Sequence, residues 1–197
     1  MEIRQAALSF IAVGLAACSN PSSDWFPMAE KMQWEYAIEY ASRPDKIQTG
    51  ISTIRIEGSE TIDGKKYIKT SRVLTGFPGV EPRINYYRKS SDGLYEIRDS
   101  HRDAGEYLLI PFPVEVGNSW HVQAAGLDLM YKAEAIVSVP LPERTYKNCL
   151  QLTFKGTADG DQLEGETYQA PGIGTIRQVE RYNSGTLEVR LKSFGFG

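Results

Sequence analysis

From Gln33 onward the chain alternates apolar and polar residues at a period of two. Leu187, Val189 and Leu191 interleave with Glu188, Arg190 and Lys192, and Leu150, Leu152 and Phe154 with Gln151, Thr153 and Lys155. Leu129, Tyr131, Ala133, Ala135, Val137 and Val139 form one longer apolar row, and Ile54 and Ile56 alternate with Thr53, Arg55 and Glu57. Successive side chains of a strand point to opposite faces, so each row predicts a strand with one buried and one wet face. One-sided strands of this kind belong to antiparallel sheets. Helical periodicity is weak, and only Trp25 to Lys31 suggests a short helix, ahead of the first strand.

The punctuation between the rows agrees. Asp63-Gly64 separates "SETI" from "KKYIK", Asp92-Gly93 separates "NYYRKSS" from "LYEIR", and Asn183-Ser184-Gly185 separates "RQVERY" from "TLEVRL". Such pairs favour the positive φ that tight hairpin turns require. The pattern predicts an all-β fold, a meander of about nine to eleven short antiparallel strands curving into a partly open or closed barrel. Gly76–Pro82 and Ala124–Asp128 read as loops. No repeat and no linker divides residues 25–197, which read as one β-domain.

The first residues follow other rules. Met1–Gln5 carries one base, Arg4, and Ala6–Val13 is an apolar run of signal-peptide length, too short to span a bilayer. Gly14-Leu15-Ala16-Ala17 then leads into Cys18. Leu15-Ala16-Ala17-Cys18 resembles the lipobox of bacterial lipoproteins. That resemblance implies a signal peptide over 1–17, cleavage between Ala17 and Cys18, and acylation at Cys18, which makes the membrane a partner. Two acyl chains anchor stably where one holds only marginally. Glu2 is unusual for a signal peptide, whereas the break in composition at Ser19 is expected of one. Ser19–Asp24 is a polar tether, poor in residues able to pack. In Gram-negative lipoproteins an Asp after the acylated Cys marks retention at the inner membrane. Ser19 in that place implies the outer membrane, with the domain facing the periplasm.

A second likeness lies further along. Pro113-Val-Glu-Val-Gly117-Asn-Ser-Trp120, the segment from Val139-Pro140 to Cys149-Leu150, and Tyr168-Gln-Ala-Pro171-Gly172-Ile-Gly174 resemble steps found in uncharacterised envelope lipoproteins and secreted β-domains. The departure is Glu143-Arg144, where that pattern has Ala-Gly. These motifs carry structural meaning: Gly172 and Gly174 turn the chain after Pro171, and Pro113 and Gly117 turn it so that Trp120 enters the core. The expected outline resembles the curved half-barrels of lipoprotein carriers, an analogy of fold that suggests lipid handling.

Charge and chemistry narrow the function. A formal net charge of -3 on 197 residues, without a concentrated basic patch, argues against nucleic acid. Of two cysteines, Cys18 belongs to the lipobox and Cys149 reads as a packed, inert thiol, so no disulfide is expected. His101, flanked by Asp99 and Asp103, reads as part of a solvated turn, and His121 as a rim residue. Structural zinc wants four Cys/His ligands, so no metal is expected. Ser119 lacks the glycines of a nucleophile elbow, Gly172–Arg177 fails the dinucleotide fingerprint, and the acids Asp159, Asp161, Glu164 and Glu166 do not follow the calcium-loop order. No catalytic residue and no cofactor is therefore assigned. The many tyrosines either line a cavity or half-bury on the sheet. The expected function is a membrane-anchored, non-enzymatic binding or assembly module with an apolar ligand such as lipid. The alternative is an envelope hydrolase.

Overall fold

The structure, a computed structural model, describes residues 24–43, 45–124 and 126–197. Cys18 and Ala17, with the whole leader, lie outside them. Twelve antiparallel strands form one sheet: β1 (Met32–Arg43), β2 (Lys46–Ile62), β3 (Lys65–Thr75), β4 (Arg83–Lys89), β5 (Gly93–Arg98), β6 (Tyr107–Pro111), β7 (Ser119–Ala124), β8 (Leu127–Pro140), β9 (Thr145–Ala158), β10 (Asp161–Ala170), β11 (Gly174–Tyr182) and β12 (Gly185–Phe196). The spatial order is β6-β5-β4-β3-β2-β1-β12-β11-β10-β9-β8-β7. The chain thus starts in the middle, meanders to one edge, crosses, and meanders back until β12 pairs with β1. The two edges meet in a nearly closed barrel. Their seam is held by Trp120 Nε1 of β7 donating to Leu109 O of β6 at 2.9 Å, with the indole stacked on Tyr131.

The all-β antiparallel barrel is as expected, with one strand more than the upper count. Alternation undercounts strands such as β6, whose sequence YLLIP is apolar on both faces. The expected helix over Trp25–Lys31 does not form. Pro27 lacks an amide hydrogen for a helix interior, and Phe26 and Met28 are both buried across a half-buried Pro27, the alternation of extended chain. The one helical element among the described residues is a short 3-10 turn, Asp99–Ala104, in the stretch read as a solvated turn.

The core lies inside the barrel, where Trp34, Tyr36, Ile38, Leu129, Leu150, Leu152, Ile176 and Val189 are almost wholly buried. Close packing is helped by Gly165. A Cβ there would lie 2.2 Å from Val179 O and 2.6 Å from the Phe154 ring. The Asp24–Lys31 segment closes one end. Phe26 packs against Phe112, Trp25 Nε1 donates to Asn148 O, and Gly172 N donates to Asp24 O. Lys89 Nζ sits 3.0 Å from Asp24 Oδ1. Successive turns of an up-and-down meander alternate between ends. The turns at 76–82, 99–106 and 159–160 therefore lie at the opposite end from Asp24.

Candidate functional site

Over β3, β4 and β5 the usual arrangement is inverted. Ile54, a core residue of β2, pairs with Arg72, which places Arg72 on the inner face. Arg72 pairs in turn with Arg83, Thr70 with Asn85, Asn85 with Arg98, and Tyr87 with Glu96. The inward row is therefore polar and charged. On the outer face Tyr67, Tyr86 and Ile97 form a separate buried cluster, with Ile62 and Ile84 packed on it. The Asp99–Ala104 turn contributes to this cover: the Arg102 guanidinium stands 5.0 Å from the Tyr86 ring and its Nη2 donates to Glu60 at 2.6 Å. Glu106 gathers Lys65, Tyr67 and Arg88 alongside. Here the small core lies outside the barrel wall and the charges lie within.

Those charges line a cavity of about 480 Å³. Arg72, Arg83, Arg98, Asn85, Tyr87 and Glu96 form its walls. Val80, Glu81 and Pro82 of the β3–β4 loop, Asp99–His101 and Asp159 stand around its mouth. These are the turns at the end opposite Asp24, so the cavity opens away from the N-terminal segment.

The electrostatics of the walls are held under tension. Arg72 Nε donates to Ser52 Oγ at 3.1 Å. Burial, followed by the neighbouring Arg83, brings the Arg72 guanidinium down to a pKa of about 9. Burial and then Arg98 lower that of Arg83. Burial also opposes the charge on Arg98, but Tyr107 and Glu96 outweigh it and raise its pKa. Glu96 accepts from Asn85 Nδ2 at 2.7 Å, from Tyr87 OH at 2.9 Å and from Tyr107 OH. Behind this row Glu180, fully buried on β11, is pushed up to about 7 by burial, against the pull of Tyr182, Arg72 and Gln178. Like charges placed opposite one another on neighbouring strands destabilise a sheet, and charge inside a protein is expensive unless matched.

The residues singled out in the sequence are not gathered here. Cys149 is buried on β9, and burial raises its thiol to about 11, which makes it a poor nucleophile. His121 is exposed on edge strand β7, with Nε2 2.6 Å from Asp128 Oδ1. His101 and Ser100 are exposed at the cavity mouth, Ser100 Oγ standing 3.0 Å from His101 Nδ1. Of the acidic run, Asp159 reaches the mouth and Glu166 instead accepts from Tyr168 OH at 2.8 Å. Among the described residues no group of three His, Cys, Asp or Glu side chains is placed to hold a metal. The arginines were not anticipated. Val73, Ile84 and Ile97 alternate with Arg72, Arg83 and Arg98, and alternation alone assigns the apolar set to the inside.

The class defined by this geometry is an up-and-down β-barrel with a polar cavity at one end. No protein-family model and no curated protein matches the sequence. Two solved structures resemble it. One is a candidate lipoprotein from Parabacteroides distasonis, with 13% identity, a TM-score of 0.50, and coverage of 87% of this chain and 98% of that one. The other is a candidate exported protein with a YmcC-like fold from Bacteroides fragilis, with 12% identity, a TM-score of 0.48, and coverage of 86% and 98%. At such identity the likeness to the first is one of fold.

Proposed function

We propose that the chain is a bacterial envelope lipoprotein, anchored by acylated Cys18, whose barrel is a binding or assembly module rather than an enzyme. The observation that carries this reading is the cavity opening at the end opposite Asp24, where the Ser19–Asp24 tether meets the barrel. A domain tethered at one end holds its far mouth toward the aqueous compartment. Phe196 and Val116, 70% and 54% exposed, sit at the tethered end and suit a face turned to a bilayer. The lipobox and the fold shared with a candidate lipoprotein support the anchor. Ser19 favours the outer membrane, with the cavity facing the periplasm.

An apolar ligand was expected, but the cavity walls are polar. A lipid would place its chain beside Ile54 and Val80 and its head group among the charges. The hydrolase alternative needs an activated nucleophile aimed into the cavity, whereas Ser100 and His101 are sequence neighbours in an exposed turn. Growth with radiolabelled fatty acid, followed by membrane fractionation, tests the anchor. Label in the wild type, its loss in Cys18→Ser, and a move to the inner membrane in Ser19→Asp are expected. Equal label in Cys18→Ser would defeat the reading.

A further inference from the structure

We infer that the barrel cavity binds an oxyanion, a carboxylate or phosphate group, between the guanidinium groups of Arg72, Arg83 and Arg98. The inference deepens the binding-module reading and rests on it. The first support is convergence. Three adjacent strands each turn one arginine inward around one space of about 480 Å³, a volume within the range of small-ligand sites. Arginine is the side chain best fitted to this task, because its planar fork of N–H donors matches the two oxygens of a carboxylate or phosphate.

The second support is the cross-strand register. Arg72 and Arg83 face each other directly on the inner surface, and Arg98 lies one step diagonally across from Arg83. A barrel wall whose only task was packing would gain from exchanging this row with its outer face, where Val73 and Ile84 lie. Burial is the first cause that lowers the pKa of Arg72 and of Arg83, and repulsion adds to it, from Arg83 on Arg72 and from Arg98 on Arg83, while Glu180 pulls the other way on both. An anion among them would turn mutual repulsion into shared attraction, strengthened by the limited access of water.

A third support is the character of the remaining walls. Asn85, Thr70 and Tyr87 line the space beside the arginines with their own donors engaged, Thr70 Oγ1 on Asn85 O, Asn85 Nδ2 on Glu96 and Tyr87 OH, and Tyr87 OH on Glu96, so the guanidinium groups are what an anion would meet. Glu96 already accepts three hydrogen bonds, from Asn85, Tyr87 and Tyr107, which fixes the polar frame in place. Glu81, Asp99 and Asp159 stand at the mouth, and Asp159 favours the charges of Arg83 and Arg98, so an entering anion competes with it for them.

At Arg83 the cluster gives loss of function and loss of stability opposite signs. An arginine that serves only structure destabilises the fold when neutralised. Arg83, whose charge burial and Arg98 oppose, should leave the unliganded barrel as stable or more stable when neutralised, while binding fails; Arg98, whose charge Tyr107 and Glu96 favour, should cost stability as well as binding. Thermal unfolding of the full-length chain in detergent, at constant ionic strength set with sodium chloride, reads both effects. The probes are inorganic phosphate, dihexanoyl phosphatidylglycerol and uncharged monooctanoylglycerol. A ligand that binds only the folded state raises Tm saturably. A rise with phosphate assigns a free anion, and a rise with the phospholipid alone assigns a head group carried on a chain. Arg83→Gln and Arg98→Gln should weaken the effect by about tenfold or more, Arg83→Lys should restore part of it, and Arg55→Gln, an exposed change outside the cavity, should leave it intact.

Should the glutamine variants not fold, the wild type suffices. Phosphate or the phospholipid should slow modification of Arg83 and Arg98 by phenylglyoxal, read by peptide mass spectrometry, and leave Arg55 unaffected. The inference is overturned if neither anion raises Tm, if the folded variants respond as the wild type does, or if the anions give no protection. Binding of the uncharged glyceride alone also overturns it, yet leaves the binding-module reading standing. Loss of acylation at Cys18 would remove the anchor without touching the cavity result.

Discussion

Replacing Glu180 with glutamine should remove a defined component of the pH dependence of stability. Glu180 is fully buried on the inner face of β11. Tyr182 OH and Gln178 Nε2 donate to its two oxygens, the charges of Arg72 and Arg83 reach it, and Tyr131 of β8 senses it in turn. Burial nevertheless holds its pKa at about 7, against an ordinary 4.5. Between these values the folded protein keeps a proton that the unfolded chain has lost. Stability from this group is therefore fully present below about pH 4.5, falls as pH rises, and is gone above about pH 7. At about 1.4 kcal/mol per pKa unit the loss is about 3 kcal/mol. Glutamine carries no such titration. Urea unfolding followed by the fluorescence of Trp25, Trp34 and Trp120, at intervals from about pH 4.5 to about pH 8, gives ΔG for both proteins once m-values are shown to agree. The stability of Glu180→Gln relative to the wild type should climb across that window by about 3 kcal/mol. A difference that stays constant, or moves the other way, refutes the reasoning.

Three further outcomes test the fold and its one described thiol. Trp120→Ala should open the β6–β7 seam at a cost of about 3–5 kcal/mol and speed amide exchange in both strands, whereas Trp120→Phe should cost about 1 kcal/mol for the bond to Leu109 O; equal costs would show that the indole does not hold the seam. Gly165→Ala forces a Cβ to within 2.2 Å of Val179 O and should lower stability by about 1–3 kcal/mol in denaturant titration, and an unchanged midpoint would contradict the packing described. Cys149, wholly buried and with its pKa raised to about 11, should resist a thiol reagent until urea unfolds the chain; with Cys18 acylated, no thiol should react in the native protein and one in the unfolded, and rapid native labelling would contradict one of the two assignments.

The fold was legible where backbone geometry constrains residue choice. Asp63-Gly64 adopts φ of 49° and 75° in the β2–β3 hairpin, as a two-residue turn demands. Gly172 and Gly174 turn with φ of 68° and 91° after Pro171, and Gly117, at 96°, precedes the Trp120 that packs on the core. Asp92-Gly93 marked a hairpin for a different reason. Gly93 belongs to β5, where a Cβ would stand 2.5 Å from Ile110 O, so its value there is close approach rather than turning. The rows at Ile54, Leu150 and Leu187 face inward as alternation implies.

The site was illegible because alternation reports two faces without saying which is the inside. On β3–β5 the apolar face covers an external cluster around Tyr86, and Arg102, from an exposed turn 42 residues from its partner Glu60 in sequence, helps to cover it. Only the cross-strand register, set by Ile54 opposite Arg72, reveals that the arginines point inward. Periodicity within a strand carries no such information.

The most direct test of the anchored-domain reading is the intact mass of the full chain, expressed in a bacterial host and extracted from its membranes. The expected mass is that of a polypeptide beginning at Cys18, residues 1–17 removed, and increased by a covalent diacylglyceryl group with or without a further acyl chain. A polypeptide that begins at Met1, or one that begins at Cys18 without covalent lipid, would contradict it.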